Sequence, residues 1–209
     1  MKSVIIFGTN DVSQLAAFYL ENDSDRKVHA FCVDREHWDG RTCVFNKPVV
    51  FFEEQYDLSY DFFVPLYDNN LRFTKAEEVK KRGFNLISYI SSKATNWSTK
   101  IGENCFIMED NTIQPFVEIG DNVIMWSGNH IGHHTKIRDN VFISSHVVIC
   151  GNCKINSFCW LGVNSSVKDG LVLETGTLLG MGSVVIENTE PNKSYMGCPA
   201  KEYKNVKSI

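Results

Sequence analysis

Hydrophobic residues recur every six positions along the C-terminal half of the chain. The run is Ile101, Ile107, Ile113, Ile119, Met125, Ile131, Ile137, Ile143, Ile149, Ile155, Leu161, Val167, Leu173, Leu179 and Val185, fifteen matches with no insertion. A helix repeats at 3.6 residues and a strand at 2.0, so neither imposes this period by itself. Period six marks a parallel β-helix of hexapeptides, whose stacked coils bury one continuous core. Two positions before each aliphatic stand mostly small or β-branched residues, such as Cys105, Val117, Thr135, Val147, Cys153 and Ser165, which suit a second inward slot. Three hexapeptides close a coil, so corresponding residues of successive coils stack at about 4.8 Å, the spacing of neighbouring strands. The run makes nearly five coils, with no excursion loop to cover a ligand.

The N-terminal stretch follows another pattern. Ser3-Val4-Ile5-Ile6-Phe7 is a short apolar run ending in Gly8-Thr9-Asn10-Asp11, and a helical pattern follows over 13–20. A second strand candidate, 28–33, ends at Asp34-Arg35; a third apolar run covers 61–66, and a helical stretch over 72–82 closes at Gly83. Strands alternating with helices predict βαβ units and a small parallel sheet, a Rossmann-like α/β arrangement. Ligands of such sheets bind beyond the carboxyl ends of the strands, which puts 8–11, Asp34-Arg35 and 66–69 around one pocket. The three-glycine dinucleotide turn is reduced to Gly8, so a standard NAD site is not expected. The expected organisation is a βαβ domain over 1–88, a β-helix over 89–190 and a tail over 191–209. Pro191, Gly197 and Pro199 mark that tail as irregular chain folding back over the last coil.

Composition changes this picture little. Of 209 residues 43% are hydrophobic and 22% charged, an ordinary folded balance. A net charge of −4 supplies no global pull toward nucleic acid or an anionic membrane. The opening residues lack a signal-peptide pattern and no run reaches transmembrane length, so a cytoplasmic location is expected. Seven cysteines, an odd number, suggest reduced thiols. Cys150 and Cys153 have redox or metal-pair spacing, but the six-residue register turns Cys153 inward and puts Cys150 at a corner, so packing is the expected role.

Candidate chemistry gathers on the coils. His130, His133, His134 and His146 fall close together. His133 stacks with Gly151 and Asp169, and His134 with Asn152 and Gly170, both outside the inward slots, so core packing does not explain them.

The segment Asn129-His130-Ile131-Gly132-His133-His134-Thr135-Lys136-Ile137, the hexapeptide run, the βαβ start and the tail Gly197-Cys198-Pro199-Ala200-Lys201 together resemble one family. It is the sugar acetyltransferases with a nucleotide-binding N-terminal domain and a left-handed β-helix. Its members include N-acetyltransferases of the bacillosamine pathway and of perosamine, and proteins like the sialic acid O-acetyltransferases. The resemblance implies acetyl-CoA as co-substrate, no metal, and a homotrimer with active sites between subunits. It implies His133 as general base, and Gly8, Thr9, Asn10, Asp11, Asp34, Arg35, Pro65 and Tyr67 around the nucleotide-linked sugar. Phe142, Gly151, Gly162, Val163, Gly180 and Lys201 correspond to the acetyl-CoA region. Relatives often carry an acid after the catalytic histidine where this chain has His134, which leaves His134, Asn129 or a backbone carbonyl to orient His133.

The expected reaction is direct acetyl transfer to the amine of a nucleotide-linked amino sugar, of the 4-amino-4,6-dideoxy type. An imidazole suits the base because it ordinarily titrates near pH ~6.5. A backbone N–H near Gly151 is the candidate oxyanion donor. The alternatives are O-acetylation of a sugar, a zinc enzyme with histidines shared between subunits, and a non-catalytic scaffold.

Overall fold

The computed structural model describes residues 3–54 and 56–204; residues 1, 2 and 55 of the expected first domain and 205–209 of the expected tail lie outside it. The chain divides into two compact units after Tyr89.

The first unit runs β1 (Ser3–Phe7), α1 (Asp11–Asn22), β2 (Lys27–Val33), β3 (Cys43–Val44), β4 (Lys47–Phe51), β5 (Asp61–Phe63), α2 (Asn69–Lys81) and β6 (Asn85–Leu86). Its sheet has the order β3-β4-β2-β1-β5-β6 and is parallel except for the β3–β4 pair. Val4, Ile5 and Ile6 of the central β1 are fully buried, as a parallel strand covered on both faces requires. α1 starts at Asn10, whose side chain accepts the Ser13 N–H, and it buries Val12, Ala16 and Leu20 along one stripe. Asp68 caps α2 by accepting the Leu71 N–H. From β1 the chain steps out to β2 and β4, then returns to β5 on the other side of β1, so the strand order reverses there.

The β3–β4 hairpin is an addition to the expected strands. Its two-residue turn, Phe45-Asn46, has φ of 48° and 59°. Such a turn normally announces itself with Asn-Gly or Asp-Gly, and Phe45 conceals it.

The second unit is a left-handed parallel β-helix. Two-residue strands recur every six positions from Lys100–Ile101 to Val184–Val185 and form three parallel sheets. Coils stack in register, with His130 and Ile131 beside Val148 and Ile149. The expected inward residues form one buried column of side chains, including Ile131, Ile149, Val147 and Cys153. The coil extends beyond the strict six-residue run at both ends. Thr95–Asn96 pairs with Thr112–Ile113 after a one-residue slip. Ser194–Met196 pairs in parallel with Leu178–Leu179, and Tyr195 packs on the core. The described tail therefore adds a strand to the coil before Lys201–Glu202 turns back antiparallel.

A second period of six lies in the backbone. From Asn104 to Gly182 every sixth residue is left-handed, with φ between 53° and 77°. Asn, Asp and Gly occupy most of these corners because they tolerate that region best. His134 (φ 61°) and His146 (φ 58°) occupy two of them.

Candidate functional site

At the carboxyl ends of β1, β2 and β5 lies a cavity of about 280 Å³, lined by Phe7, Gly8, Thr9, Asn10, Val33, Asp34, His37, Arg41, Leu66 and Leu71. It opens where the strand order reverses, the usual ligand position in an open α/β sheet. Gly8 holds the entry turn at φ 94°, and a Cβ there would lie 2.7 Å from the Ser13 hydroxyl. That hydroxyl donates to the Phe7 carbonyl (3.1 Å) and to Asn10 Oδ1 (3.0 Å), so the loop is tied to α1.

Arg41 bridges the mouth of the loop. Its guanidinium donates to the Thr9 carbonyl and to Thr9 Oγ1, both at 3.2 Å, and Nε donates to Asp39 at 2.7 Å. The Asp39 hydrogen bond raises the Arg41 pKa, while the Arg41 contacts lower that of Asp39. Asp34 Oδ2 lies 2.8 Å from Lys75 Nζ and 3.6 Å from His37 Nδ1. Burial pulls the Lys75 ammonium down, but its hydrogen bonds to Asp34 and Glu78 carry it above its ordinary value. The fully buried Arg72 donates to the Leu66 carbonyl (2.6 Å), the Tyr67 carbonyl (3.1 Å) and Asn69 Oδ1 (2.7 Å), fastening the loop after β5 to α2.

Of the residues expected here, Gly8, Thr9, Asn10 and Asp34 line the cavity. Asp11 is exposed in the first turn of α1, and Arg35 stacks over Phe51 at 3.9 Å. Pro65 is buried and Tyr67 exposed, and Leu66 between them reaches the lining. His37, Arg41 and Leu71 were absent from the sequence expectation. Leu71 lies within reach of it because α2 starts three residues earlier than the helical pattern indicated.

On the coil, His133 and His134 are both exposed. The His133 backbone is clamped at both ends: its N–H donates to Gln114 Oε1 (2.8 Å) and its carbonyl accepts the Asn152 N–H (2.8 Å). Its ring lies over Gly151 of the next coil, where a Cβ would stand 2.7 Å from Cε1 and 2.9 Å from Nε2. The two Nδ1 atoms of His133 and His134 are 3.1 Å apart, and the Phe116 ring packs on His134 at 4.6 Å.

Asn129 is turned the other way. It is 1% exposed, its amide donates to the Trp126 carbonyl, and its Oδ1 accepts the Val147 N–H at 2.7 Å. Its side chain joins coil to coil, so the orienting role expected for Asn129 is corrected. Phe142 is likewise buried, stacked on Trp160 at 4.0 Å and 13°. Gly162 and Gly180 sit one coil apart on another corner from Gly151; a Cβ on Gly162 would meet the backbone of Leu179 and Met181 below 3 Å. Val163 is half-buried and Lys201 exposed in the last strand. Cys153 is buried in the core while Cys150 is half-buried, as an inward slot and a corner imply. Among the described residues no group of three or more His, Cys, Asp and Glu side chains is arranged to hold a metal ion. No helix among them is long and apolar enough to cross a membrane.

A family model described as bacterial transferase hexapeptide (six repeats) matches residues 98–133. Solved structures are similar over almost the whole length. Perosamine N-acetyltransferase of Caulobacter crescentus, crystallised as a mutant with CoA and GDP-perosamine, is 22% identical at a TM-score of 0.86, with 97% of each chain covered. The acetyltransferase domain of PglB from Neisseria gonorrhoeae is 19% identical at a TM-score of 0.85, over 97% of this chain and 100% of that one. This chain has their fold. WeeI from Acinetobacter baumannii is similar too, 17% identical at a TM-score of 0.82, with 96% and 99% covered. The shared architecture is therefore the whole two-part chain, a Rossmann-like unit followed by a left-handed β-helix.

Proposed function

We propose that the protein transfers an acetyl group from acetyl-CoA to the amine of a nucleotide-linked amino sugar, with His133 as general base. The observation that carries this reading is the His133 imidazole, exposed on an uninterrupted coil, clamped through its backbone and seated over Gly151. The core needs no residue of that kind there, and a proton acceptor does.

In this mechanism the amine nitrogen attacks the thioester carbonyl carbon. Its proton passes to His133 Nε2, the C–S bond breaks, and the departing CoA thiolate takes the proton from His133. A backbone N–H at the Gly151 corner meets the developing oxyanion. The acceptor's nucleotide occupies the cavity at Gly8, Thr9, Asn10 and Asp34. There the α1 N-terminus and the Arg41 guanidinium supply the positive character that the missing glycines would otherwise have helped provide.

Gly151 and Gly162 stand on different corners of the coil, and an acetyl-CoA touching both is accommodated by two subunits flanking it. This supports a homotrimer with active sites between subunits. The CoA-bound relatives of the same fold support the cofactor. A 4-amino-4,6-dideoxy sugar is the favoured acceptor, because the similar structures include a perosamine N-acetyltransferase bound to GDP-perosamine.

Thiol release from acetyl-CoA, measured with UDP-, GDP- and dTDP-linked 4-amino sugars and their 4-hydroxy counterparts, tests the assignment. Turnover with an amine acceptor that collapses in His133→Ala supports it. Turnover only with hydroxyl acceptors, or an active His133→Ala protein, overturns it.

A further inference from the structure

His134 occupies a strained corner and yet carries a ring that touches two others. Its φ of 61° belongs to the six-residue series of left-handed corners, which Asn, Asp and Gly mostly fill, so the backbone has no need of an imidazole there. The ring packs against Phe116 of the preceding coil at 4.6 Å, and Phe116 is itself held at φ 66° and more than half exposed. An exposed aromatic on a strained corner has no core to fill. It acts as a wall for His134.

That wall sets a contact of definite geometry. The Nδ1 atoms of His133 and His134 are 3.1 Å apart, and the two rings meet edge-on at 86°. Between two neutral imidazoles such a contact needs one Nδ1 to carry the proton and the other to offer its lone pair. We propose that His134 is a positioning residue whose Nδ1 accepts a hydrogen bond from His133 Nδ1–H, holding His133 in the tautomer whose Nε2 is free to take a proton.

This rests on the acetyltransferase reading for its catalytic meaning, but the tautomer is a property of the resting protein. An imidazole side chain takes the role of an orienting acceptor. The other groups around the pair leave that role to it. Gln114 takes the His133 backbone N–H, and Asn129 is committed inside the coil.

Side-chain geometry supplies a decisive pair of variants. Asn Oδ1 occupies nearly the same position on its side chain as His Nδ1, and Asn tolerates the left-handed corner, so His134→Asn keeps the acceptor. His134→Gly keeps the corner and removes the acceptor. Imidazole ¹⁵N chemical shifts of the full-length labelled protein, without substrate, should show His133 protonated at Nδ1 in the parent and in His134→Asn. In His134→Gly the population should shift to Nε2–H. Turnover should fall on the order of 10–100-fold in kcat for His134→Gly with KM unchanged, and recover to within about threefold in His134→Asn.

Finding His133 protonated at Nε2 in the parent overturns the proposal. So does undiminished kcat in His134→Gly when His133→Ala is inactive, since His133 then works without an orienting partner. Full activity in His133→Ala removes the base assignment itself, while the ¹⁵N shifts still report whether His134 sets the tautomer.

Discussion

Replacing Gly151 by alanine places a methyl group under the His133 ring. The new Cβ would stand 2.7 Å from Cε1, 2.9 Å from Nε2 and 3.1 Å from Nδ1. Carbon contacts relax at about 3.5–4.0 Å, so the ring must retreat by about 1 Å. Folding should hardly notice, because the displaced atoms are the far end of an exposed side chain and Gly151 has no left-handed φ to protect. Alanine also restricts the unfolded chain, a gain of roughly 0.4–1 kcal/mol. Catalysis should respond with the opposite sign. A misplacement of about 1 Å in a reacting group costs on the order of 10²-fold. Gly151→Ala should therefore lose about 100-fold in kcat in the thiol-release assay while its thermal midpoint holds or rises. Gly128→Ala is the matched control. Its Cβ would meet His146 Nδ1 at 2.6 Å and its φ is 77°, so it should cost about 1–2 kcal/mol of stability and leave turnover alone. Normal kcat in a folded Gly151→Ala protein would refute the placement of the base.

Arg72→Met should lower stability by about 2–4 kcal/mol in urea titration, because it strands the Leu66 and Tyr67 carbonyls that the buried guanidinium satisfies. Arg41→Ala should raise KM for the nucleotide-linked acceptor at least several-fold with kcat nearly unchanged in steady-state assays; a pure kcat loss would remove it from the binding site. A thiol reagent should find Cys43 and Cys198 quickly, Cys150 more slowly, and all seven cysteines only after denaturation. Burial raises the thiols of Cys32, Cys153 and Cys159, the last to about 12 from an ordinary value near 9. Above pH ~9 the unfolded chain therefore releases protons that the folded Cys159 keeps. Stability should fall as pH rises from there toward 12, an alkaline loss that Cys159→Ser should lessen, as read in denaturant midpoints.

The β-helix was legible because its physics is periodic. One inward aliphatic per hexapeptide is enough to set the register, and that register put His133 over Gly151 and Cys153 in the core without any long-range reasoning. The same arithmetic, carried back one coil, points to Phe116 beneath His134. The signal was present in the spacing, but an exposed phenylalanine reads locally as an ordinary surface residue. The first unit was less legible. Its strands and helices follow from local pattern, but Arg41 reaches the cavity from a segment with no periodicity, just ahead of a hairpin whose turn residue Phe45 carries no glycine signature.

Asn129 marks the boundary between the two kinds of information. Its spacing two residues before Ile131 is that of the second inward slot, yet only the packed coils decided that its amide joins the Trp126 carbonyl to the Val147 N–H. Local sequence determined the period, the coil register, the corners that tolerate left-handed backbone and the strand–helix alternation, because each depends on neighbours a few residues away. Tertiary structure alone decided which polar atoms were already satisfied and which side chains remained to act. Hydrogen-bond partners one coil or one loop away are chosen by packing, and a residue's chemistry depends on what those partners leave unoccupied.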